Sequence, residues 1–333
     1  MLLGLFKSLW RIGLLVFIAL VVFVVLRLLP ADPVGMMLPP GATEADRAEL
    51  NRTLGLDRPM LVQFTIWLGK ALHGDLGTSI ASGLPVTERI LHALPTTLQL
   101  VALGLLGGAI LGVGAGLLAF RFRKTPIESG VQVANSLAIS IPEFLWAILL
   151  ILGVGIGLQW LPFLGPIDGA YSVQRITGFL LLDTLLVGDW AAFASVCAHL
   201  ALPVLALSLG VAPPLMRIAH ASLVDTYAED YVAAARLRGL GENRILMRHA
   251  LKNAALPTVA MLGLQAGSLI GGTLLIETIF GFPGIGSLMV QSLGVHDLFM
   301  IQGLALTYAV TVQIMNTLAD AALYALNPRL RLQ

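Results

Sequence analysis

Six stretches of this chain are apolar over, or nearly over, the roughly 20 residues that a helix needs to cross a bilayer: about 9–29, 96–120, 131–158, 196–218, 257–280 and 302–326. This feature constrains the fold more than any other. In hydrocarbon, backbone N–H and C=O groups must be satisfied internally, so such stretches are helices. A soluble domain carries about 25% charged residues. Here 12% are charged and 57% hydrophobic. The chain lacks a charged skin, and its outer surface is expected to face lipid. The expected fold class is all-α and transmembrane, with about six spanning helices.

The first stretch is the weakest. Only fifteen residues separate Arg11 from Arg27, about 22 Å of helix, and both arginines can snorkel to the interfaces. A cleaved signal peptide with Lys7 and Arg11 as its basic start is the rival reading. No A-x-A site follows the apolar run and further spans do, so the stretch reads as a span.

Loop charges predict the orientation. One set of loops carries Lys7 and Arg11, then Arg121, Arg123 and Lys124, then Arg217, Arg236, Arg238, Arg244, Arg248 and Lys252, and finally Arg329 and Arg331. The other set is poorer in basic residues and holds acids such as Asp32, Glu44, Asp75, Asp168, Asp183 and Asp297. Both termini are therefore expected in the cytoplasm, with 30–95, 159–195 and 281–301 outside. The amphipathic run from Met60 to Leu72 predicts a small outer cap of short helices, and Gly, Pro and Asp in 162–190 predict an irregular second loop. The organisation read from this is a first span plus outer module over 1–95 and a five-helix membrane domain over 96–333.

Enzyme signals are poor. The sole cysteine, Cys197, rules out an intramolecular disulfide and a cysteine metal cluster. His220, His249 and His296 lack metal spacing. GFPGIG (281–286) has no preceding strand, and no G-x-x-x-x-G-K-[ST], HExxH or GxSxG exists. No catalytic, metal or cofactor site is expected. The net charge of +1 offers no argument for nucleic acid.

The informative loop is 219–256, AHASLVDTYAEDYVAAARLRGLGENRILMRHALKNAAL. It is charged yet helical in pattern: Tyr231, Val232 and Ala235 share a face, as do Ile245, Leu246 and Leu251. Gly239 and Gly241 interrupt the pattern. Glu242 opens a second helix that Arg248, His249 and Lys252 close, in the order the helix dipole favours. The reading is two short helices at an angle, with Pro257 starting the next span. On the first, Ala233, Ala234 and Ala235 are small, with Arg236 and Arg238 beside them. Such a helix suits a groove on another protein. It equally suits a membrane surface whose lipid phosphates meet the arginines.

Small residues followed after three positions by glycine, here Ala233-Ala234-Ala235 and Gly239, resemble the "EAA" coupling motif of permease subunits of binding-protein-dependent ABC importers. The chain resembles the dipeptide, oligopeptide and nickel branch through EDYVAAARLRGL (229–240), RHALKNAALP (248–257), GLQAGSLIGGTLLIETIFGFPGIG (263–286) and NPRLR (327–331). It does so upstream through PADPV (30–34), LGLDRPMLVQF (54–64), HGDLGTSI (73–80), LPVTERI (84–90) and LPTTLQL (94–100), and between these through TGFLLLDTLLVGDW (177–190) and HLALPVLAL (199–207). Two departures stand out. The first motif position, often Glu, is Ala233, and the proline of the general motif, which would fall at Lys252, is displaced to Pro257, as in the branch as a whole.

The resemblance implies an inner-membrane permease subunit that imports a small peptide or related solute, with nickel or a metal chelate as the alternative. It implies a second, similar permease subunit, two cytoplasmic ATPase subunits that bind ATP and Mg, and a periplasmic or lipid-anchored substrate-binding protein. It implies ATPase coupling at Ala233, Ala234, Ala235, Arg236, Arg238 and Gly239. An ion-coupled transporter would need no such loop, and an intramembrane hydrolase would need a catalytic set that is absent.

Glu143, His199, Glu277 and Asp320 lie in or beside apolar stretches, where ionisable groups face a bundle interior or a water-filled path. For Glu143, Glu277 and Asp320, a bonding role between helices and a place along the path both remain open. Gly267, Gly271 and Gly272 read as helix-packing positions, and Pro142, Pro203, Pro213 and Pro214 as helix kinks.

Overall fold

The computed structural model describes residues 2–28, 34, 35, 38, 42–55 and 57–326. Most of segment 30–34 and all of 327–331, quoted above, lie outside the described residues, as does Gln333. The helices are α1 (Leu2–Leu28), α2 (Glu44–Leu54), α3 (Met60–Leu72), α4 (Val86–Arg121), α5 (Pro126–Ser140), α6 (Glu143–Leu150) and α7 (Leu180–Val187). They continue with α8 (Trp190–Tyr227), α9 (Asp230–Leu237), α10 (Glu242–Ile245), α11 (Leu251–Phe280), α12 (Ile285–Gly294) and α13 (Leu298–Leu326). Single π-helical stretches extend α6 over Ile151–Gly157 and join α10 to α11 over Leu246–Ala250. Among the described residues the only β-type pairing is an isolated bridge between Thr78 and Pro85.

Contacts divide the chain into two compact units. One comprises the described residues of 1–95 with 283–313, the other those of 96–282 with 314–333.

The second unit is organised by a glycine ladder. Gly104, Gly108, Gly112 and Gly116 recur every fourth residue of α4 and so share one face. Opposite them lies α8. A Cβ at Gly104 would stand 2.9 Å from Leu207 Cβ, one at Gly112 2.5 Å from the Ala212 carbonyl oxygen, and one at Gly116 3.0 Å from the Met216 carbonyl oxygen. The two backbones therefore approach more closely than any side chain allows, which is how helices without a hydrophobic driving force associate in lipid. Ser208 Oγ adds a hydrogen bond to the Gly104 carbonyl at 3.3 Å. On α8's other contacts lies α11.

Two helices expected as single spans differ in detail. The stretch expected over 131–158 is broken: α5 and the α6 segment meet at 101°. Ile141 is extended, with φ −103° and ψ 120°, because Pro142 Cδ disfavours helical backbone in the residue before it. The pair still crosses the unit. At one end, Phe120 packs edge-on against Tyr227, with ring centroids 4.6 Å apart, and joins Leu223, Leu246, Ala250 and Ala254 in a core cluster. At the other, Gln99 accepts a hydrogen bond from Leu181 N at 3.2 Å, and the Phe280 carbonyl accepts one from Gly165 N at 2.8 Å. From Gln99 to Phe120 is about 32 Å of helix, a hydrocarbon thickness. The chain leaves α4 at the Phe120 end and has reached the Phe280 end by Gly165. The bent pair is a broken span rather than a loop that returns to its own side.

The second difference is at Pro257. It does not start a span but sits inside α11, and the apolar helical segment runs from Glu242 to Phe280. The expected second short helix is thus the foot of this span. Pro203, Pro213 and Pro214 likewise lie inside one 38-residue helix, α8. The irregular second loop contains a helix, α7, held by buried Asp183. That carboxylate accepts from Thr177 N (2.7 Å), Thr177 Oγ1 (2.6 Å) and Gly178 N (3.1 Å). Burial alone would push it up, but these hydrogen bonds leave it below the usual carboxylate range.

In the first unit, α1 packs on α3 through Phe23, Phe64 and Trp67, with Phe23 and Phe64 5.5 Å apart edge-on. Val86, Ile90, Ile285, Leu288, Met300 and Leu304 form its main core. Asp297 caps α13 by accepting from Met300 N at 3.1 Å, and also accepts from Ser79 Oγ at 2.5 Å. The segment HGDLGTSI is thereby tied to the start of α13.

The ladder is testable with one methyl group. Alanine in place of glycine ordinarily favours a helix by about 1 kcal/mol. Gly114→Ala, where nothing lies within 4 Å, should leave thermal unfolding of the purified protein unchanged or raise its midpoint. Gly112→Ala should lower it, since overpacking costs about 1–3 kcal/mol. Equal midpoints would show that α4 and α8 are not held at this distance.

Candidate functional site

Helix α9 is built to present a surface. It starts at Glu229 in extended backbone and ends at Gly239, whose φ of 77° is left-handed and strains any other residue but Asn. The turn closes through Gly239 N to the Arg236 carbonyl (2.9 Å) and Leu240 N to the Ala235 carbonyl (3.2 Å). One face packs inward: Val232, Ala235 and Ile245 form a small core with Tyr227 and Leu240. The other faces out. Ala233, Ala234, Leu237 and Arg238 are exposed, Leu237 to 89%.

The six residues named from the sequence therefore separate by role. Ala233 and Ala234 form a smooth exposed patch. Ala235 belongs to the core. Arg236 donates to Glu242 from Nε at 2.6 Å and from Nη2 at 3.3 Å, and lies 5.6 Å from the centre of the Tyr227 ring. The Glu242 bond holds its guanidinium above the ordinary range. The pair is exposed and contributes little to stability; it ties α9 to α10. Arg238 is unburied at the helix end, and Gly239 makes the turn. Arg123, from the short loop after α4, also sits over Tyr227, at 5.9 Å. The basic loop 121–124 and α9 thus share one end of the second unit. Leu237 was not singled out from the sequence. Its signal was available: it falls on the face opposite Val232 and Ala235, with no partner in the helical pattern.

The intramembrane acids lie in three different settings. Glu277 is fully buried and accepts from Thr97 Oγ1 at 2.6 Å, linking α11 to α4. Asp320 is on an exposed side of α13. Glu143 begins α6 and inserts between α8 and α11 at two glycines. A Cβ at Gly210 would overlap the Glu143 side chain, and one at Gly272 would stand 2.6 Å from its Oε2. That oxygen is buried and makes no hydrogen bond. Beside it opens a cavity of about 380 Å³ lined by Ala138, Ile141, Phe144, Gly210, Gly272 and Leu275 with Glu143 itself. His199 is buried on α8, its Nδ1 2.8 Å from the Ser195 carbonyl oxygen. Among the described residues no group of three or more His, Cys, Asp or Glu is placed to hold a metal ion.

The family described as the binding-protein-dependent transport system inner membrane component matches residues 104–332. The N-terminal region of binding-protein-dependent transport system membrane components matches residues 5–101. The chain is 34% identical over 330 residues to the di/tripeptide transport system permease protein DppB of Pseudomonas aeruginosa, covering 97% of this chain and 98% of that protein. It is 32% identical over 325 residues to the oligopeptide transport system permease protein AppB of Bacillus subtilis, covering 97% of each. Among solved structures, an inward-facing conformation of the MetNI methionine ABC transporter contains a similar fold. The TM-score is 0.54 at 16% identity, over 72% of this chain and 96% of that one.

The buried acid generates a prediction. Glu277→Leu removes the acceptor that the buried Thr97 hydroxyl uses, a loss of about 1–3 kcal/mol. Glu44→Leu changes an exposed residue of α2. The yield of folded, monodisperse protein should fall for the first and hold for the second. Equal yields would show that the Thr97 bond contributes nothing to the fold.

Proposed function

The chain belongs to the family of binding-protein-dependent transport system inner membrane components, and on that premise we propose that it is one half of the pore of an ATP-driven importer of short peptides. The relatives named for di-, tri- and oligopeptide transport support the substrate class, because the similarity runs end to end rather than through one motif. ATPase and substrate-binding subunits go with a permease of this family. In this reading the complete assembly adds a second permease subunit, two ATPases that bind ATP and Mg, and an outer, periplasmic or lipid-anchored, binding protein. This chain supplies the path and the coupling, and performs no chemistry.

The observation that carries the coupling role is the outward face of α9. Small residues at Ala233 and Ala234 let a partner's backbone approach, and Leu237 supplies an apolar anchor that the chain leaves uncovered. Helix α9 is spliced between two spans and clamped by Val232, Ala235 and the Arg236–Glu242 pair. A push on it is delivered to α8 and α11 as a rigid-body motion rather than absorbed as bending. Closure of the ATPases would thus reach the glycine ladder directly. The structure also refines which variant tests this. Nothing lies within 4 Å of a Cβ at Gly239, so Gly239→Arg acts through backbone strain. Ala234→Trp, on an exposed site, acts on the partner alone.

The reading places the 121–124 loop, α9 and both termini in the cytoplasm, and the α3–α4 connection and residues 159–195 outside. It takes 1–95 as a first span with a periplasmic module and 96–333 as the five-helix transport domain.

Two measurements test the proposal. Ala234→Trp and Leu237→Asp should reach the membrane in normal amount but lose co-purifying ATPase by about 5- to 150-fold, the factor for about 1–3 kcal/mol at a close-fitted contact. Undiminished ATPase recovery in both would remove α9 as the coupling helix. A surface helix bound only to lipid phosphate would instead tolerate Ala234→Trp, since Trp is at home at the membrane interface. In a Cys197→Ala background, a membrane-impermeant maleimide should label Asp75→Cys and Ser172→Cys on intact cells and spare Arg123→Cys. The reverse pattern would invert the orientation.

A further inference from the structure

We infer that Glu143 is the cation-recognising group of the transport path, and that its carboxylate receives the protonated α-amino group of the travelling solute. The inference rests on the importer reading above and deepens it.

Three independent features converge on this residue. The first is its unmet bonding. Oε2 is buried without a hydrogen-bond partner, whereas the other deeply placed acid, Glu277, takes a bond from Thr97. A carboxylate inside a membrane helix bundle is costly unless it faces a paired group or a watered space. Among the described residues Glu143 lacks a paired group, and beside it lies a cavity of about 380 Å³, large enough to admit a polar group.

The second feature is depth. Gly210, against which the Glu143 side chain lies, is one residue from Val211, the residue facing Gly108 across the ladder. Gly108 lies about 14 Å along α4 from Gln99 and about 18 Å from Phe120. The carboxylate is therefore held near the middle of the span, where a transport site must be reachable from alternate sides. Glycine at 210 and at 272 is what makes room for it, since any side chain there would expel it from its slot.

The third feature is the surface that leads to it. Helix α5 buries none of its residues. Its exposed Ser129, Gln132, Ser136 and Ser140 recur at helical spacing, so they share one face. Exposed Val133 lies among them, and Ser140 Oγ donates to the Ser136 carbonyl at 2.7 Å, so the face is mixed rather than wholly apolar. Its polar positions end three residues before Glu143. The 101° break at Ile141 and Pro142 then turns the backbone, so that the acid opens a new helix at the cavity wall.

A carboxylate beside an open pocket with no other charged lining residue favours a monovalent cation. In a short peptide the common cation is the α-ammonium, present whatever the side chains are. Recognition at this point suits a path that must accept many sequences.

The test uses the intact importer in nanodiscs, without its binding protein, so that binding to the path is read alone. The probes are alanyl-alanine and N-acetyl-alanyl-alanine, compared by saturation-transfer NMR. Wild type should bind the free-amino peptide and discriminate against the acetylated one. Glu143→Gln should weaken alanyl-alanine binding about tenfold and abolish the discrimination. Gly272→Ala, which displaces the carboxylate without changing its charge, should do the same in part. Recovery of the other subunits should stay at the wild-type level in both variants. Loss of the second permease subunit in Glu143→Gln would mean that the acid pairs with a basic residue of that subunit, and would overturn the inference. So would equal binding of both peptides by wild type, or unchanged binding by Glu143→Gln. Uptake of alanyl-alanine by wild-type proteoliposomes with the binding protein present separates the two levels. If uptake occurs and Glu143 is indifferent, only this inference fails; if no uptake occurs, the importer reading itself fails.

Discussion

The close approach of α4 to α8 is the contact on which the second unit depends. Apolar side chains gain little from meeting each other in lipid, because lipid tails are equally apolar. What remains is dispersion between backbones, and it falls steeply with distance. Glycine at 104, 108, 112 and 116 removes the atoms that would keep the helices apart. Once α8 is seated, its remaining surface receives α6 and α11. The slot for Glu143, the Thr97–Glu277 bond and the Phe120–Tyr227 contact all use helices that this contact has already placed.

The same arrangement holds α9 rigidly in place. Helix α9 owns only a small core, too little to fold alone, since helices this short are marginal in water. Its position is set by the spans on either side and by the Arg236 clamp to Glu242 and Tyr227. A surface helix held in this way moves with its spans. Leu237, exposed to 89%, is the apolar exception on an otherwise smooth face.

The acids show how one residue type takes opposite roles. Glu277 is bonded within the bundle and links two spans. Asp297, in the first unit, satisfies a helix start and the Ser79 hydroxyl. Glu143 keeps an oxygen unmet. Desolvation costs each of them; what differs is whether the fold supplies the compensating donor.

Membrane class, helix content, the approximate spans and the break at Gly239 were all legible in the sequence. Each depends on spacing along the chain: length of apolar run, helical period, and glycine where φ must be positive. The family was legible too, because its motifs are local strings in a fixed order. What lay across from each residue was not. Helical period already put Ala235 with Val232, but only packing shows that this face meets Ile245 while Tyr231, Ala233 and Ala234 stay exposed. The four-residue glycine period of α4 was present in the sequence, but only α8 turns it into a contact. The break at Ile141 was signalled by Pro142, though Pro203, Pro213 and Pro214 carry the same signal and sit inside one continuous helix. A proline weakens a helix locally, and neighbouring helices decide whether it holds. Glu277 and Glu143 were equal as apolar-stretch acids until Thr97, 180 residues away, was placed beside one and two glycines beside the other. Periodicity determines which face a residue occupies, and only tertiary packing determines what that face meets.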